Sequence, residues 1–493
     1  MKIGSIVQNN AEVLPLIIGA SVVVAAGALG AASDTAVSQF MFISIAGISA
    51  LLALLMLPVH VLPTLAVAVV IFVPDRLMDA AGFPLTTPSA VILIVWAVRK
   101  KMHGKLIDYN QFRIGTRAIP KSLSIVLFLF SAWLIPKTLF SALPSFSVAW
   151  LLTFLMAVFI PLYVRKRELE VILLRQSIPA LISIAAIYAI VQSIMQTNFI
   201  YDPLYLMVGR DSVQHWEVYR ADASLGHPLT AGLVFAVGLA FSAGRWIETR
   251  RNAFLMACVL QGLGLMLTVS RGSYVAAGMA IAFLVLAAIV TGRRFSRTRA
   301  FLLIISFASF IVYVLQSDAF VKRATSDEAA ASTDARNNLF QIALDATSST
   351  NWLGGGLAAS SIVAAPYNFQ ELPIENSYFQ ILIGIGMPGL LIFVSLLALA
   401  IRLGYRYRNL AAASAIVAFA VAISGYAAID TVLPLITLLG LLVMMATTNL
   451  RPLSAHNHHI RGTKPIGNTT AGSQVPTHSP HISHARVYSD RIG

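Results

Sequence analysis

The sequence ENSYFQILIGIGMPG at residues 375–389 joins a polar interval to an apolar one. The polar interval, Asp318 to Asn376, is long and contains no apolar run of membrane length, whereas the run that follows it extends from Ile381 to Leu403. Glycine and proline stand near the start of that run, and such residues break or kink a helix. Irregular backbone at membrane depth occurs where protein or a water-filled cavity satisfies its polar groups. We therefore expect a functional site at this junction.

Composition assigns the chain to a class before any motif is considered. Of its 493 residues, 57% are hydrophobic and only 11% are charged, far from the average of a soluble domain. This balance indicates a polytopic membrane protein and leaves no room for a separate soluble enzyme domain. The single cysteine, Cys258, lies within an apolar run, so disulfides do not contribute to the fold.

Apolar runs of about 20 residues, the length that crosses a bilayer as a helix, recur along the chain. The first begins near residue 13 and ends in small residues as a signal peptide does, but it is longer than a signal core of about 7–15 residues and fits a membrane span better. The fold class predicted is an all-α polytopic integral membrane protein with about 12–14 transmembrane helices. Spans are predicted near residues 13–32, 40–57, 60–74, 83–98, 122–137, 147–164, 172–195, 228–244, 253–269, 274–291, 300–316, 377–401, 410–428 and 432–449.

These spans divide the chain into four parts. Residues 1–316 hold the first eleven transmembrane helices, with a loop at 197–227, and residues 317–376 form a large loop with a short helix. Residues 377–450 supply the C-terminal transmembrane helices, and residues 451–493 form a tail predicted to be disordered. Its histidines at 456, 458, 459, 478, 481 and 484 could bind a metal, but no cysteine or acidic partner stands at ligand spacing, so a flexible tail is the better interpretation.

Lys and Arg concentrate in every second connection between the predicted spans. With the N-terminus in the cytoplasm, 27 of the 35 Lys and Arg residues fall on the cytoplasmic side, as is typical of connections that are not exported. Both termini are then cytoplasmic, and both long loops, 197–227 and 318–376, face outward. The net charge of +14 reflects this orientation, so we do not interpret it as nucleic-acid binding.

Two arginines stand at the outer ends of predicted spans. Arg220 lies shortly before Gly226-His227-Pro228, and Arg271 lies in the short connection Thr268–Ser273 between two spans. An interfacial arginine can simply extend its charged end to the membrane surface, and this is the plain interpretation of Arg220. Arg271 has less freedom to leave the surface, which makes a functional role more plausible, although its position near the membrane edge lowers the cost of its charge.

Arg336 lies within a predicted loop helix. Ser332-Thr333-Asp334 offers capping residues. Over residues 335–346 a helical spacing of i, i+3, i+4 and i+7 joins Arg336, Leu339, Phe340 and Ala343, so the arginine is predicted on the apolar face. A charge on that face requires a partner, which is either a ligand or an acidic residue of the loop.

Three arginines on one outer surface, without metal-ligand residues beside them, indicate an anionic ligand. Phosphate is the natural candidate, because guanidinium groups bind phosphate oxygens bidentately and stay charged at physiological pH. The run Trp352-Leu-Gly354-Gly355-Gly356 could add backbone N–H donors as an anion nest, but a glycine turn is the commoner use of such a run.

These motifs, taken in order, give the region from about residue 195 to 400 a resemblance to the O-antigen ligase and polysaccharide polymerase superfamily. The ordered set is Arg220 before Gly226-His227-Pro228, then Ser270-Arg271-Gly272 after a span, then Arg336 and a loop helix leading to Trp352-Leu-Gly-Gly-Gly, and last Asn376 followed by Gly386-x-x-Gly389. In ligases of this family the residue before the Asn-like position is typically histidine, and here it is Glu375. That difference favours a polymerase.

The resemblance implies a GT-C-like membrane glycosyltransferase that acts at the periplasmic face of a bacterial inner membrane, without metal or cofactor. It would join undecaprenyl-pyrophosphate-linked oligosaccharide repeat units into a surface polysaccharide or exopolysaccharide. Its partners would be the lipid-linked donor, the growing polysaccharide acceptor and a chain-length-regulating co-polymerase. Arg220, Arg271 and Arg336 would bind the pyrophosphate and stabilise its leaving charge. Glu375 would act as general base, with Asn376 positioning the acceptor hydroxyl.

Three other functions are compatible with the same sequence features. An O-antigen ligase would transfer finished polysaccharide to lipid A-core, and a lipid-linked sugar flippase or transporter would also need outward cations. A non-catalytic assembly subunit would use the 318–376 loop for docking. Glu375 itself has a structural alternative, an ion pair with Lys322, Arg323 or Arg336 that fixes the loop.

Overall fold

The computed structural model describes residues 52–80, 86–103, 119–165, 167–209, 218–290 and 294–449. Every regular element in these ranges is a helix. The predicted span at 13–32, most of the one at 40–57 and the tail from residue 451 lie outside the described residues. The prediction of an all-α fold is therefore confirmed.

The helices before residue 210 are α1 (Leu62–Phe72), α2 (Asp75–Ala80), α3 (Pro88–His103), α4 (Lys121–Leu139), α5 (Pro144–Tyr163), α6 (Glu168–Met195) and α7 (Tyr201–Met207). Those after it are α8 (Pro228–Thr249), α9 (Asn252–Leu267), α10 (Arg271–Val290), α11 (Arg294–Gln316), α12 (Asp318–Thr325), α13 (Asp327–Ser349), α14 (Ser360–Ala364), α15 (Ser377–Arg406), α16 (Leu410–Ala422) and α17 (Pro434–Thr447). Seven helices of the described ranges, α4, α5, α6, α8, α10, α11 and α15, are long and apolar enough to cross a membrane. This confirms a polytopic membrane protein.

The helix α8 lies at the centre of the bundle, with 89% of its most apolar 18 residues buried. Its glycines allow neighbouring helices to come close. A Cβ atom on Gly244 would lie 2.4 Å from the Cα of Ala411 in α16, and one on Gly232 would lie 2.4 Å from Oγ of Ser273 in α10. Small residues at such contacts are the usual means by which helices pack in a membrane.

The helix α15 is broken at Gly386, whose φ of 74° and ψ of 180° are not helical. Pro388 follows two residues later, and proline within a helix removes a backbone donor. The break predicted from the glycine and proline pattern at the start of this span is therefore confirmed. A break of this kind leaves backbone N–H and C=O groups that need partners from elsewhere in the protein.

Residues 352–356 supply those partners. Three backbone hydrogen bonds join this segment to the broken turn, in which the N–H of Gly355 donates to Ile383 O at 3.0 Å, that of Gly356 to Gly384 O at 2.8 Å, and that of Met387 to Trp352 O at 2.9 Å. The indole N–H of Trp133 in α4 adds a fourth, donating to Ile385 O at 2.8 Å. The break is thus closed by protein groups, and its position is fixed by the glycine-rich segment.

The interval 318–376 is more helical than predicted. The helix α13 begins at Asp327 and has 23 residues, so the expected short helix with a cap at Ser332-Thr333-Asp334 is wrong. Helix formers at 328–331 extend the helix past the capping residues, which lie in its interior. Part of the face predicted to be apolar packs on the membrane bundle, because Leu339 and Ala343 are buried in one cluster with Ile383 of α15. Phe340, predicted on the same face, is 55% exposed.

Candidate functional site

Segment 218–227, just before α8, is bound to the ends of two other helices. The N–H of Ala221 donates to Leu267 O at 3.0 Å, at the end of α9. The hydroxyl of Ser224 donates to Ile71 O at 2.6 Å, near the end of α1. These contacts bring together, at one end of the bundle, the end of α1, the segment carrying Arg220 and the turn that leads to Arg271.

Arg220 is buried, with 6% of its surface exposed. Its Nε–H donates to the backbone oxygen of Thr268 at 3.1 Å. Because Thr268 lies three residues before Arg271, this bond ties the first predicted arginine to the connection that carries the second. Arg271 is the first residue of α10 and is half-buried. The connection is short, as predicted, but shorter than the expected Thr268–Ser273, since only residues 268–270 separate α9 from α10.

A polar network beneath Arg220 holds its segment in place. Asp222 accepts hydrogen bonds from the side-chain amides of Gln192 in α6 and Asn198, the latter at 3.0 Å. The oxygen of Gln192 accepts in turn from the N–H of Ala223 at 2.8 Å. Burial raises the pKa of Asp222 to about 6. Segment 218–227 is therefore a fixed part of the bundle end.

His227 caps the N-terminus of α8. Its Nδ1 accepts from the N–H of Leu229 at 3.1 Å, so the ring proton of the neutral form is on Nε2. The ring stacks on that of Tyr426, with centroids 5.7 Å apart and planes within 8°. The pKa of His227 is lowered to about 3, mainly by burial and also by the charges of Arg220 and Arg76. His227 is therefore a neutral N–H donor at ordinary pH.

Tyr426 links His227 to the start of α15. The hydroxyl of Ser377, the first residue of α15, donates to Tyr426 O at 2.7 Å and accepts from the N–H of Ala428 at 2.8 Å. Desolvation raises the pKa of Tyr426 to about 12, and the charge of Glu375 acts in the same direction. Glu375 is half-buried and stands immediately before the helix cap. The two predicted long loops thus meet at this end of the bundle.

Asn376 is the N-cap of α15. Its Oδ1 accepts from the N–H groups of Tyr378 at 2.9 Å and Phe379 at 3.3 Å. An N-cap side chain satisfies backbone donors that have no partner within the helix. The oxygen of Asn376 is used in this way, so the amide NH2 is the part of the side chain that the cap does not use.

The whole interval from Arg271 to Asn376 lies within a family match. Residues 256–394 match the family model described as O-Antigen ligase. This stretch of the chain is similar to that family. The match confirms the resemblance predicted from the ordered motifs. No curated protein matches the chain.

The matched region includes Arg271, Arg336 and Glu375, whereas Arg220 precedes it. Arg336 lies inside α13, nine residues after its start, and its side chain is outside the described part of the structure. One turn later, the ring of Phe340 lies 6.0 Å from that of Phe379 in the first turn of α15. The backbone of Arg336 is therefore one helical turn from a contact with the start of α15.

The glycine-rich segment of the matched region is not an anion nest. The N–H groups of Gly355 and Gly356 donate to backbone oxygens of α15, as described above, and that of Gly354 donates to Oγ1 of Thr350 at 3.1 Å. All three donors are therefore used within the protein. The commoner interpretation of the run, a structural glycine turn, describes what is observed.

Arg76 in α2 is a cation at this end of the bundle that belongs to none of the sequence motifs. Its side chain is exposed, and its charge acts on both His227 and Tyr426. The signal available in the sequence was weak but present, because Asp75-Arg76 directly follows an apolar run on the predicted outer side. Among the residues that the structure describes, no group of three or more His, Cys, Asp or Glu is arranged to hold a metal ion.

Proposed function

We propose that this protein is a polymerase that joins undecaprenyl-pyrophosphate-linked oligosaccharide repeat units into a surface polysaccharide or exopolysaccharide at the periplasmic face of the inner membrane. The observation that carries the proposal is a set of links at one end of the bundle, in and beside the matched region. A hydrogen bond joins Arg220 to the turn before Arg271, and Tyr426 joins His227 to the start of α15, where Glu375 and Asn376 stand. Cations and a carboxylate at one end of the bundle suit a reaction in which an anion leaves and a hydroxyl loses a proton.

In the proposed reaction the sugar hydroxyl of the acceptor attacks the anomeric carbon of the lipid-linked donor. A glycosidic C–O bond forms as the bond between that carbon and the pyrophosphate oxygen breaks, and both bonding electrons leave with the pyrophosphate. Arg220, Arg271 and Arg336 bind that group and stabilise the charge it gains. The proton of the acceptor hydroxyl passes to the carboxylate of Glu375, and the amide NH2 of Asn376 orients the acceptor.

Glu375 favours the polymerase over the ligase. Ligases of the family typically carry histidine at this position, and the chain has a carboxylate there. The description of the matched family model, O-Antigen ligase, supports the second candidate, transfer of finished polysaccharide to lipid A-core. Both candidates use the same donor and the same leaving group, so the arginines serve either reaction.

Deletion of the gene in a bacterium that makes the polysaccharide separates these candidates. Loss of a polymerase should leave single lipid-linked repeat units exposed on the periplasmic leaflet, which an impermeant glycosidase can reach. Loss of a ligase should leave long lipid-linked polymer that is not transferred. Single units trapped on the cytoplasmic leaflet would instead indicate a flippase and would overturn the proposal. Complementation by wild-type protein, but not by an Arg271→Gln variant present at equal membrane levels, is the matched control.

A further inference from the structure

The start of α2 packs against the turn that leads into α8. Gly226 has a φ of +72°, and a Cβ atom at this position would lie 2.7 Å from the hydroxyl oxygen of Tyr205, 3.4 Å from Cβ of Pro74 and 3.8 Å from Cδ of Arg76. A Cβ atom at residue 226 would therefore displace the hydroxyl of Tyr205, whereas Pro74 and Arg76 lie at ordinary contact distance from it. The side chain of Arg76 thus lies beside the turn that carries the neutral imidazole.

Two side-chain hydrogen bonds fix the backbone that precedes α2. The hydroxyl of Tyr201 donates to Phe72 O at 2.9 Å, and the hydroxyl of Ser224 donates to Ile71 O at 2.6 Å. Both acceptors are carbonyls in the last turn of α1, which have no partners within the helix. The backbone just before Arg76 is thus fixed to segment 218–227.

Arg76 and Arg220 approach the same imidazole from different elements. Each of their charges lowers the pKa of His227, and Arg76 also acts on the ring of Tyr426, which stacks on His227. Two like charges beside one neutral group repel each other, and an anion between them removes that repulsion. Arg220 is buried, but the side chain of Arg76 is exposed and can bind a ligand without first losing a buried position.

A second observation at the same place concerns Tyr205. Its side chain is 3% exposed, and its hydroxyl has no hydrogen-bond partner among the described residues. A buried hydroxyl without a partner costs free energy, and such groups in proteins call for an explanation. This hydroxyl lies against Gly226, and the side chain of Arg76 lies beside the same glycine. The surroundings of Gly226 therefore combine the exposed cation of Arg76, the neutral N–H donor of His227 and the unpartnered hydroxyl of Tyr205.

We propose that Arg76 is a further anion-binding residue, which contacts the pyrophosphate of the lipid-linked substrate together with Arg220 across the His227 turn. The identity of the anion rests on the proposed function. Arg76 acts by binding and takes no proton. It would contact the pyrophosphate from the α2 side.

The test is the affinity of the purified full chain, in lipid nanodiscs, for inorganic pyrophosphate, measured by calorimetry without turnover. Arg76→Gln should weaken binding about tenfold or more, the effect of losing one charge-assisted hydrogen bond. Arg76→Lys should retain part of the affinity, because it keeps the charge but not the bidentate geometry. Arg402→Gln, an exposed arginine in the last turns of α15 far from Glu375, is the matched control and should bind as wild type does.

The outcomes separate the two proposals. If Arg76→Gln binds pyrophosphate within about twofold of the Arg402→Gln control while Arg220→Gln binds weakly, the role of Arg76 is overturned and the polymerase proposal stands. If Arg76→Gln binds weakly at an unchanged unfolding temperature, but the deletion strain makes normal polymer, Arg76 is confirmed as an anion-binding residue and the polymerase proposal fails. Wild-type protein that binds no pyrophosphate would overturn the Arg76 proposal directly.

Discussion

Gly354 and Gly386 lie against each other at the break in α15, so closely that a Cβ atom on Gly354 would stand 2.3 Å from the amide nitrogen of Gly386. Both residues also have positive φ, 82° and 74°, which favours glycine. Gly354→Ala should therefore destabilise the protein by about 2–4 kcal/mol, from overpacking and backbone strain together. Thermal unfolding in detergent measures this, with Gly262→Ala as control, since only Phe310, at 4.0 Å, lies near that position. Equal unfolding temperatures for the two variants would contradict the prediction.

Arg271→Lys should lose activity although the charge is kept. A lysine ammonium does not reproduce the bidentate geometry of a guanidinium on phosphate, so we expect activity to fall roughly tenfold or more, corresponding to about 1.5–3 kcal/mol. The measurement is polymer formation from lipid-linked repeat units at matched protein levels. Full activity of the lysine variant would mean that Arg271 only extends its charge to the membrane surface.

Chelation of divalent metal should leave transfer intact. The proposed mechanism assigns stabilisation of the leaving charge to arginines. The sequence offers no outward set of carboxylates and histidines at ligand spacing. Purified enzyme in lipid should therefore keep its rate after treatment with EDTA. Loss of the rate, and its recovery on addition of magnesium or manganese, would show that the arginine-only model is wrong.

Glu375→Gln should reduce polymer formation by at least about tenfold, because glutamine keeps the size of the side chain but cannot take a proton. Binding of the lipid-linked substrate should persist. Glu375→His should recover part of the rate, since a neutral imidazole is also a base near pH 7. Near-normal polymer length and yield from the glutamine variant would instead assign Glu375 to a structural ion pair.

Asp222→Asn should flatten the pH dependence of stability. The pKa of Asp222 is raised by burial to about 6, against an ordinary 3.8. Between these values the unfolded chain releases the proton while the folded chain keeps it, so the stability contributed by this group falls as pH rises from about 4 to 6. Asparagine cannot ionise, and its oxygen can still accept from Gln192 and Asn198. The variant should lose much of this fall in unfolding temperature.

Wild-type protein, Asp222→Asn and the control Glu371→Gln, an exposed carboxyl, should be compared from pH 4 to 7. Asp430 leaves a residual slope of the same sign, because desolvation also raises its pKa to about 6. An Asp222→Asn slope identical to that of wild type would contradict the prediction.

The features that the sequence predicted correctly depend on residues that are close together in the chain. The break in α15 follows from Gly386 and Pro388 within one apolar run, and the face of α13 that packs on the bundle follows from the spacing of Leu339 and Ala343. The predicted start of α13 was wrong, because the helix propensity of the residues upstream outweighed the capping signal at 332–334.

The remaining features depend on contacts between distant residues. The docking of residues 352–356 into α15 joins segments about 30 residues apart, and no local pattern indicates which carbonyls those glycines reach. Arg76 was missed for the same reason, since its proximity to His227 arises only when the end of α1 meets segment 218–227. Placing a single cation in a site requires tertiary structure, whereas assigning a membrane class does not.

The central position of α8 has a consequence for how the chain enters the membrane. Its mean hydropathy of 1.4 is the lowest of the seven spanning helices in the described ranges, and almost none of its surface would meet lipid. Such a helix gains little from partitioning into hydrocarbon alone, because its stabilisation comes from other helices. We expect α8 to leave the translocon paired with α9, which begins three residues after its end, so that biogenesis proceeds through a helical hairpin at this step.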